Sequence, residues 1–151
     1  MKEKLFIDTN IFLYFLTKHQ SKWEKIEAIF ERKDFELITS VIVLNELKYK
    51  LLWIAASKKL NTTNKFDILS LIKKDKQLRN EVYSKFLEFY INIKNRFTIL
   101  GISEKEEIPS CQISANYGLL PSDASIVASM LSNSINKLLT DDLDFKKVAV
   151  I

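Results

Sequence analysis

Short apolar runs rich in β-formers alternate with longer stretches of helical period along the whole chain, and this alternation limits the fold more than any other feature. The runs are Lys4–Ile7, Phe35–Thr39, Phe97–Ile102 and Lys137–Thr140, with a short fifth at Val148–Ile151. Between them lie helical patterns. One begins near Asn10, and a second spans Ser21–Arg32 with Trp23, Ile26 and Phe30 at helical spacing. A long one starts after Ser40, a good N-cap, and runs toward Leu60 with Val43, Leu47, Leu51 and Ile54 as its stripe. Asn64–Lys74 and Leu78–Asn95 follow, the latter with Leu78, Val82, Phe86, Phe89 and Ile93 on one face. Glu104–Tyr117 is closed by Gly118, and Pro121-Ser122 opens a last helix from Asp123 to about Asn133. Two glycines and two prolines in 151 residues leave little material for hairpins. The expectation is a three-layer α/β/α fold around a mostly parallel sheet of four to five strands, built as one domain over residues 1–151.

In a parallel sheet the carboxyl ends of the strands share one edge, and ligands bind there. Asp8 directly follows the first strand and Asp141-Asp142 directly follow the fourth. Asp123 opens the helix that feeds the fourth strand, so it starts from the same edge. Glu46 lies in the second turn of the helix after the second strand, and helical side chains lean toward the N-terminus. Each acid has an ordinary explanation: Asp8 as an N-cap, Asp123 as a dipole complement, Asp141, Asp142 and Asp144 as turn residues, Glu46 as a solvated charge. Against these, Asp123 shares a face with Ile126, Val127 and Met130, and Glu46 has Ile42, Val43 and Tyr49 as helical neighbours. An inward carboxylate must be neutralised, paired or metal-bound. An all-oxygen set favours Mg²⁺ or Mn²⁺ over zinc, and the lone His19 and Cys111 cannot build a zinc site. Spacing alone leaves Asp141 and Asp142 equivalent.

Charge and composition narrow the partner. The net charge is +4, and setting four acids aside raises the remainder to +8. A basic scaffold around an acidic pocket suits a polyanion cut at carboxylate-bound metal. The single cysteine and the absence of a secretory pattern lead to an expected cytoplasmic location, and no apolar run is long enough for a membrane span. The Leu78–Asn95 helix, with Tyr83 and Tyr90 beside its stripe, is a candidate interaction surface. It is equally a core helix packed with Phe66, Leu69 and Ile72.

Four ordered segments resemble the PIN-domain family, and within it the VapC-type toxin ribonucleases. "FIDTNIFL" is similar to the family's opening strand and first acid at Asp8, with Thr9 and Asn10 in the accompanying polar positions. "TSVIVLNEL" carries the second acid at Glu46, and "LLPSDASIVAS" the third at Asp123. "LLTDDLDF" resembles the T-x-D-x-D-F turn and aligns Thr140, Asp142, Asp144 and Phe145. The resemblance implies that Asp142 rather than Asp141 is the fourth acid, supported by the Thr140 hydroxyl, and that Asp144 caps the following turn. It implies a metal-dependent endoribonuclease with one or two Mg²⁺ or Mn²⁺ ions, ligated by Asp8, Glu46, Asp123 and Asp142. Asn10, Thr140 and Asp141 would support them from behind. It implies a homodimer and a cognate antitoxin. Residues 61–96 carry no family signature. The alternatives are an RNA-processing nuclease outside any toxin–antitoxin pair, or a catalytically silent scaffold that binds RNA or protein. A haloacid-dehalogenase-type phosphatase needs a second aspartate two residues after the first, where this chain has Asn10.

Overall fold

The computed structural model describes residues 1–148, and the expected fifth strand falls largely outside them. Four strands form one parallel sheet: β1 (Glu3–Ile7), β2 (Phe35–Ser40), β3 (Thr98–Leu100) and β4 (Leu138–Leu139). Their order is β3-β2-β1-β4, so β1 is central and β4 is an edge. Seven α-helices connect them: α1 (Thr9–Leu16), α2 (Trp23–Glu31), α3 (Val41–Leu60), α4 (Lys65–Lys74), α5 (Lys76–Ile93), α6 (Glu107–Tyr117) and α7 (Pro121–Ser132). Helices flank the parallel sheet in the expected α/β arrangement.

The chain divides into two compact units. The first comprises Met1–Leu44 and the chain from Phe97 onward, and it contains the sheet. Phe6 and Ile7 of β1 are fully buried. Phe12 of α1, Phe30 of α2 and Phe97 form a cluster with ring centroids 5.2–5.9 Å apart. Aromatic pairs at this distance contribute beyond their buried area. α6 ends on Gly118, whose φ of 68° supplies the left-handed cap the sequence predicts. Pro109 sits in the first turn of α6, where its missing amide proton would have no helical acceptor. α7 opens with Pro121 at its first turn, as expected.

The second unit, Asn45–Arg96, holds the rest of α3 with α4 and α5. Its core is Leu52, Ala56, Ile68, Leu78 and Val82. Asn64 caps α4, and Asp75 caps α5 through the Leu78 amide at 2.9 Å while pairing with Lys59 at 2.6 Å. The five-residue stripe of α5 is buried throughout, as its period requires. Tyr90 stacks on Phe86, with centroids 6.3 Å apart and planes 15° apart, so it belongs to that packing.

Two expectations about the buried faces are corrected. On α3 the buried residues after Leu47 are Leu52 and Ala56, and Leu51 and Ile54 are only partly covered. α3 carries apolar side chains on several faces, so period alone does not select one. On α4 Ile68 is fully buried while Phe66 is 82% exposed. The inward face of that helix is set by what packs on it, not by the size of its residues.

Candidate active site at the carboxyl edge of the sheet

The register of β1 with β4 brings Asp8 level with Thr140. Ile7 pairs with Leu139, and the Asp8 amide donates to the Leu139 carbonyl at 3.1 Å. Asp8 is 5% exposed and has two jobs at once. Its Oδ1 accepts the Thr9 amide at 2.7 Å, capping α1, and its Oδ2 accepts the Thr140 hydroxyl at 2.7 Å. Capping thus uses one oxygen of Asp8, and the other joins it to Thr140 at the end of β4. Thr140 Oγ1 in turn accepts the Asp142 amide at 3.0 Å. A continuous chain from Asp8 through Thr140 to Asp142 thus joins residues more than 130 positions apart.

Asp142 also accepts the Asp144 amide at 2.8 Å and caps the 3-10 turn Leu143–Lys147. This corrects the expectation that Asp144 caps that turn. Asp144 instead pairs with Lys147 at 2.7 Å, because the turn begins two residues earlier than sequence patterning places it. An open cleft of about 440 Å³ is lined by Leu138, Thr140, Asp141, Asp142, Leu143, Phe145 and Lys146, which leaves this edge accessible to a ligand.

Asp123 is the third residue of α7 and is partly buried, with Ile126, Val127 and Met130 fully buried on its helix. Lys4, near the amino end of β1, donates to the Asn133 carbonyl at the end of α7 at 2.9 Å. That contact holds the C-terminal end of α7 at the amino edge. Twelve helical residues span roughly 18 Å, so the Asp123 turn lies toward the carboxyl edge. Glu46 lies in the second turn of α3, and its carboxylate pairs with Lys50 one turn on at 2.8 Å. Of the ways a carboxylate beside apolar neighbours can be accommodated, pairing with a cation is the one this contact supplies for Glu46.

Asp141 has a separate set of partners. Its Oδ1 accepts Asn10 Nδ2 at 3.2 Å, and its Oδ2 accepts the Tyr14 hydroxyl and Lys22 Nζ, the latter at 2.9 Å. Lys22 also lies 4.1 Å from the centre of the Tyr14 ring. Burial pushes the Asp141 carboxyl up, but the bonds from Tyr14, Lys22 and Asn10 outweigh it and hold it below the usual range. The Tyr14 hydroxyl is raised above its ordinary value, chiefly by its bond to Asp141. Sequence reasoning missed Tyr14 and Lys22. Tyr14 had a faint signal, one turn after Asn10 on the same helical face, and Lys22 had none.

Among the described residues, no three His, Cys, Asp or Glu side chains are drawn together as a preformed metal cluster. The donor chemistry nevertheless fits a hard cation. Thr140 joins the Asp8 carboxylate to the Asp142 backbone amide at an open edge, and both residues offer carboxylate oxygens, the donors that such a cation prefers.

A PIN-domain family model matches residues 5–151. The chain belongs to the PIN-domain family. It is 31% identical over 149 residues to Ribonuclease VapC2 of Methanocaldococcus jannaschii, covering 97% of this chain and 90% of the relative. Solved structures show the same PIN fold at lower identity. A VapBC2 complex of Rickettsia felis bound to a promoter DNA fragment matches with a TM-score of 0.61 at 21% identity, covering 98% of this chain and 95% of its own. The Mycobacterium tuberculosis toxin VapC20, a sarcin–ricin-loop-cleaving toxin, matches with a TM-score of 0.65 at 13% identity, covering 97% and 96%. This PIN domain therefore has a VapC ribonuclease as a full-length homologue, and the resemblance read from its four acidic segments holds.

Proposed function

We propose that this PIN domain is a metal-dependent endoribonuclease that hydrolyses RNA phosphodiester bonds, as the toxin of a type II toxin–antitoxin pair. The observation that carries the reading is the Asp8–Thr140–Asp142 chain at the carboxyl edge. The homology to a VapC ribonuclease supports the reaction class, and structural likeness to VapBC complexes supports an antitoxin partner. Asp8, Glu46, Asp123 and Asp142 are the proposed ligands of one or two Mg²⁺ or Mn²⁺ ions. A bound ion of this kind lowers the pKa of a coordinated water and offsets charge developing on the phosphate.

The chain's own residues supply position. Thr140 donates to the Asp8 carboxylate and accepts from the Asp142 amide, which ties the backbone of the turn after β4 to Asp8. Thr9 fixes the second Asp8 oxygen, which keeps the carboxylate from rotating. Lysines outside the site leave the protein with a net positive charge suited to an RNA backbone. A homodimer acting in the cytoplasm completes the proposal, and among the described residues no helix is long and apolar enough to cross a membrane.

Incubation with single-stranded RNA tests the reading. Cleavage is expected with added Mg²⁺ or Mn²⁺ and is expected to stop with chelator. Undiminished cleavage in excess EDTA would overturn the metal assignment, and RNA binding with no cleavage under any divalent ion would favour the silent scaffold.

A further inference from the structure

Asp141 and Asp142 are adjacent, yet only one of them enters the chain leading to Asp8. Neighbouring residues in extended backbone point to opposite sides, so anchoring one determines where the other faces. Asp142 has φ −75° and ψ 117°, an extended conformation. Asp141 is anchored from three directions, by Asn10 and Tyr14 of α1 and by Lys22 just before α2. These contacts cross 119 to 131 residues of sequence.

We propose that Tyr14 and Lys22 are positioning residues that act through Asp141. By holding the Thr140–Asp142 turn in place they set how tightly the acids bind a divalent cation. The inference rests on the nuclease reading above and deepens it. A carboxylate offers about four lone-pair directions, and donors already take three of those of Asp141. Lys22 cancels its charge, which leaves Asp141 a poor competitor for a cation that Asp142 is placed to meet. Asn10 stands two residues after Asp8 and bonds Asp141, so the same network closes a ring: Asp8, Thr140, the β4 turn, Asp141, Asn10 and back along α1. Tyr14 and Lys22 brace the far side of that ring. Because its bond to Asp141 raises the Tyr14 hydroxyl above its ordinary value, it stays protonated and remains a donor at neutral pH.

The test uses the full chain and Mn²⁺ titrated calorimetrically, with RNA cleavage measured in parallel. Tyr14→Phe combined with Lys22→Met is expected to weaken Mn²⁺ binding about ten-fold, the usual scale for residues behind the ligands. kcat at fixed Mn²⁺ is expected to fall with KM for RNA unchanged, and Lys22→Arg in place of Lys22→Met is expected to recover most of the loss. Should the double variant fail to fold, Lys22→Met alone carries the test, since its side chain is exposed. Asp8→Asn serves as the control. If it abolishes Mn²⁺ binding while the Tyr14 and Lys22 variants bind normally, the inference fails and the nuclease reading stands. A raised KM with normal Mn²⁺ affinity would make Lys22 a phosphate contact and overturn the proposal. Loss of Mn²⁺ binding in Asp141→Asn but not Asp142→Asn would make Asp141 the ligand and overturn it too. If Asp8→Asn leaves Mn²⁺ binding intact, it is the nuclease reading that fails.

Discussion

Replacing Thr140 by valine removes one oxygen at nearly constant volume and cuts the Asp8–Asp142 chain at its middle. Two hydrogen bonds go with it, the 2.7 Å bond donated to Asp8 Oδ2 and the 3.0 Å bond accepted from the Asp142 amide. A bond to a charged group contributes about 1.5–3 kcal/mol, and a neutral one about 1 kcal/mol. Asp8 is nearly buried, so water cannot fully replace the lost donor. Thr140 is only partly covered, which lets solvent recover some of the Asp142 bond. A net loss of about 2–3 kcal/mol is expected, or roughly 4–12 °C in Tm for a chain of this length. Metal-dependent cleavage is expected to fall by about 10–100-fold, because Asp8 and Asp142 lose their common brace. Thr140→Ser keeps the hydroxyl and is expected to stay within about 1 kcal/mol of wild type. Thermal unfolding by circular dichroism and initial cleavage rates read both effects. A Thr140→Val protein that melts within a degree of wild type and cleaves at the same rate would refute the idea that this chain holds the site.

Asp8→Asn is expected to abolish cleavage yet leave the protein folded. Asparagine Oδ1 still accepts the Thr9 amide, and its Nδ2 can donate to Thr140 Oγ1 where Asp8 accepted; an unfolded variant by circular dichroism would mean that capping is the whole role of Asp8. Glu106 accepts the Ser103 hydroxyl at 2.6 Å, the Ser103 amide at 2.9 Å and the Ser132 hydroxyl at 3.1 Å, and the Ser103 bonds chiefly hold its carboxyl below the usual range. A depressed pKa stabilises above the unfolded value of about 4.3 and is lost as pH falls through the folded one. The Tm gap between wild type and Glu106→Gln is therefore expected at pH 7 and is expected to close below about pH 4; a gap that widens in acid would contradict the assignment. Gly118→Ala meets no atom within 4 Å but must adopt φ 68°, so a loss of about 1–2 kcal/mol from strain alone is expected by chemical denaturation. Phe86→Ala is expected to cost about 3–5 kcal/mol by the same measurement, and Tyr83→Ser, at 38% exposure, under about 1 kcal/mol; equal losses would place both side chains in the core.

Secondary structure and strand direction were legible because both depend on local chemistry. A period of two or of 3.6 follows from backbone geometry, so β1, β2 and α5 could be read from their own residues. Gly118 and Pro121 marked helix ends for equally local reasons, a left-handed φ and a missing amide proton. Asp8 at the end of β1 and Thr140 at the end of β4 followed from the rule that parallel strands share a carboxyl edge. What lay beyond reach depended on partners distant in the chain. Asp141 and Asp142 carry identical side chains; the Asp142 amide meets the Thr140 hydroxyl two residues back in a local turn, but only the pairing of β4 with β1 brings Asp141 to Asn10, Tyr14 and Lys22. The buried face of α4 was hidden for a related reason: Phe66 has the larger apolar surface, yet packing within its unit selects Ile68. Lys22 carried no signal because a lysine on a polar stretch is ordinary until a carboxylate 119 residues away is brought to 2.9 Å. Local sequence sets each element and its ends, whereas long-range pairing free energy, which no window of sequence contains, chooses among side chains that are locally equivalent.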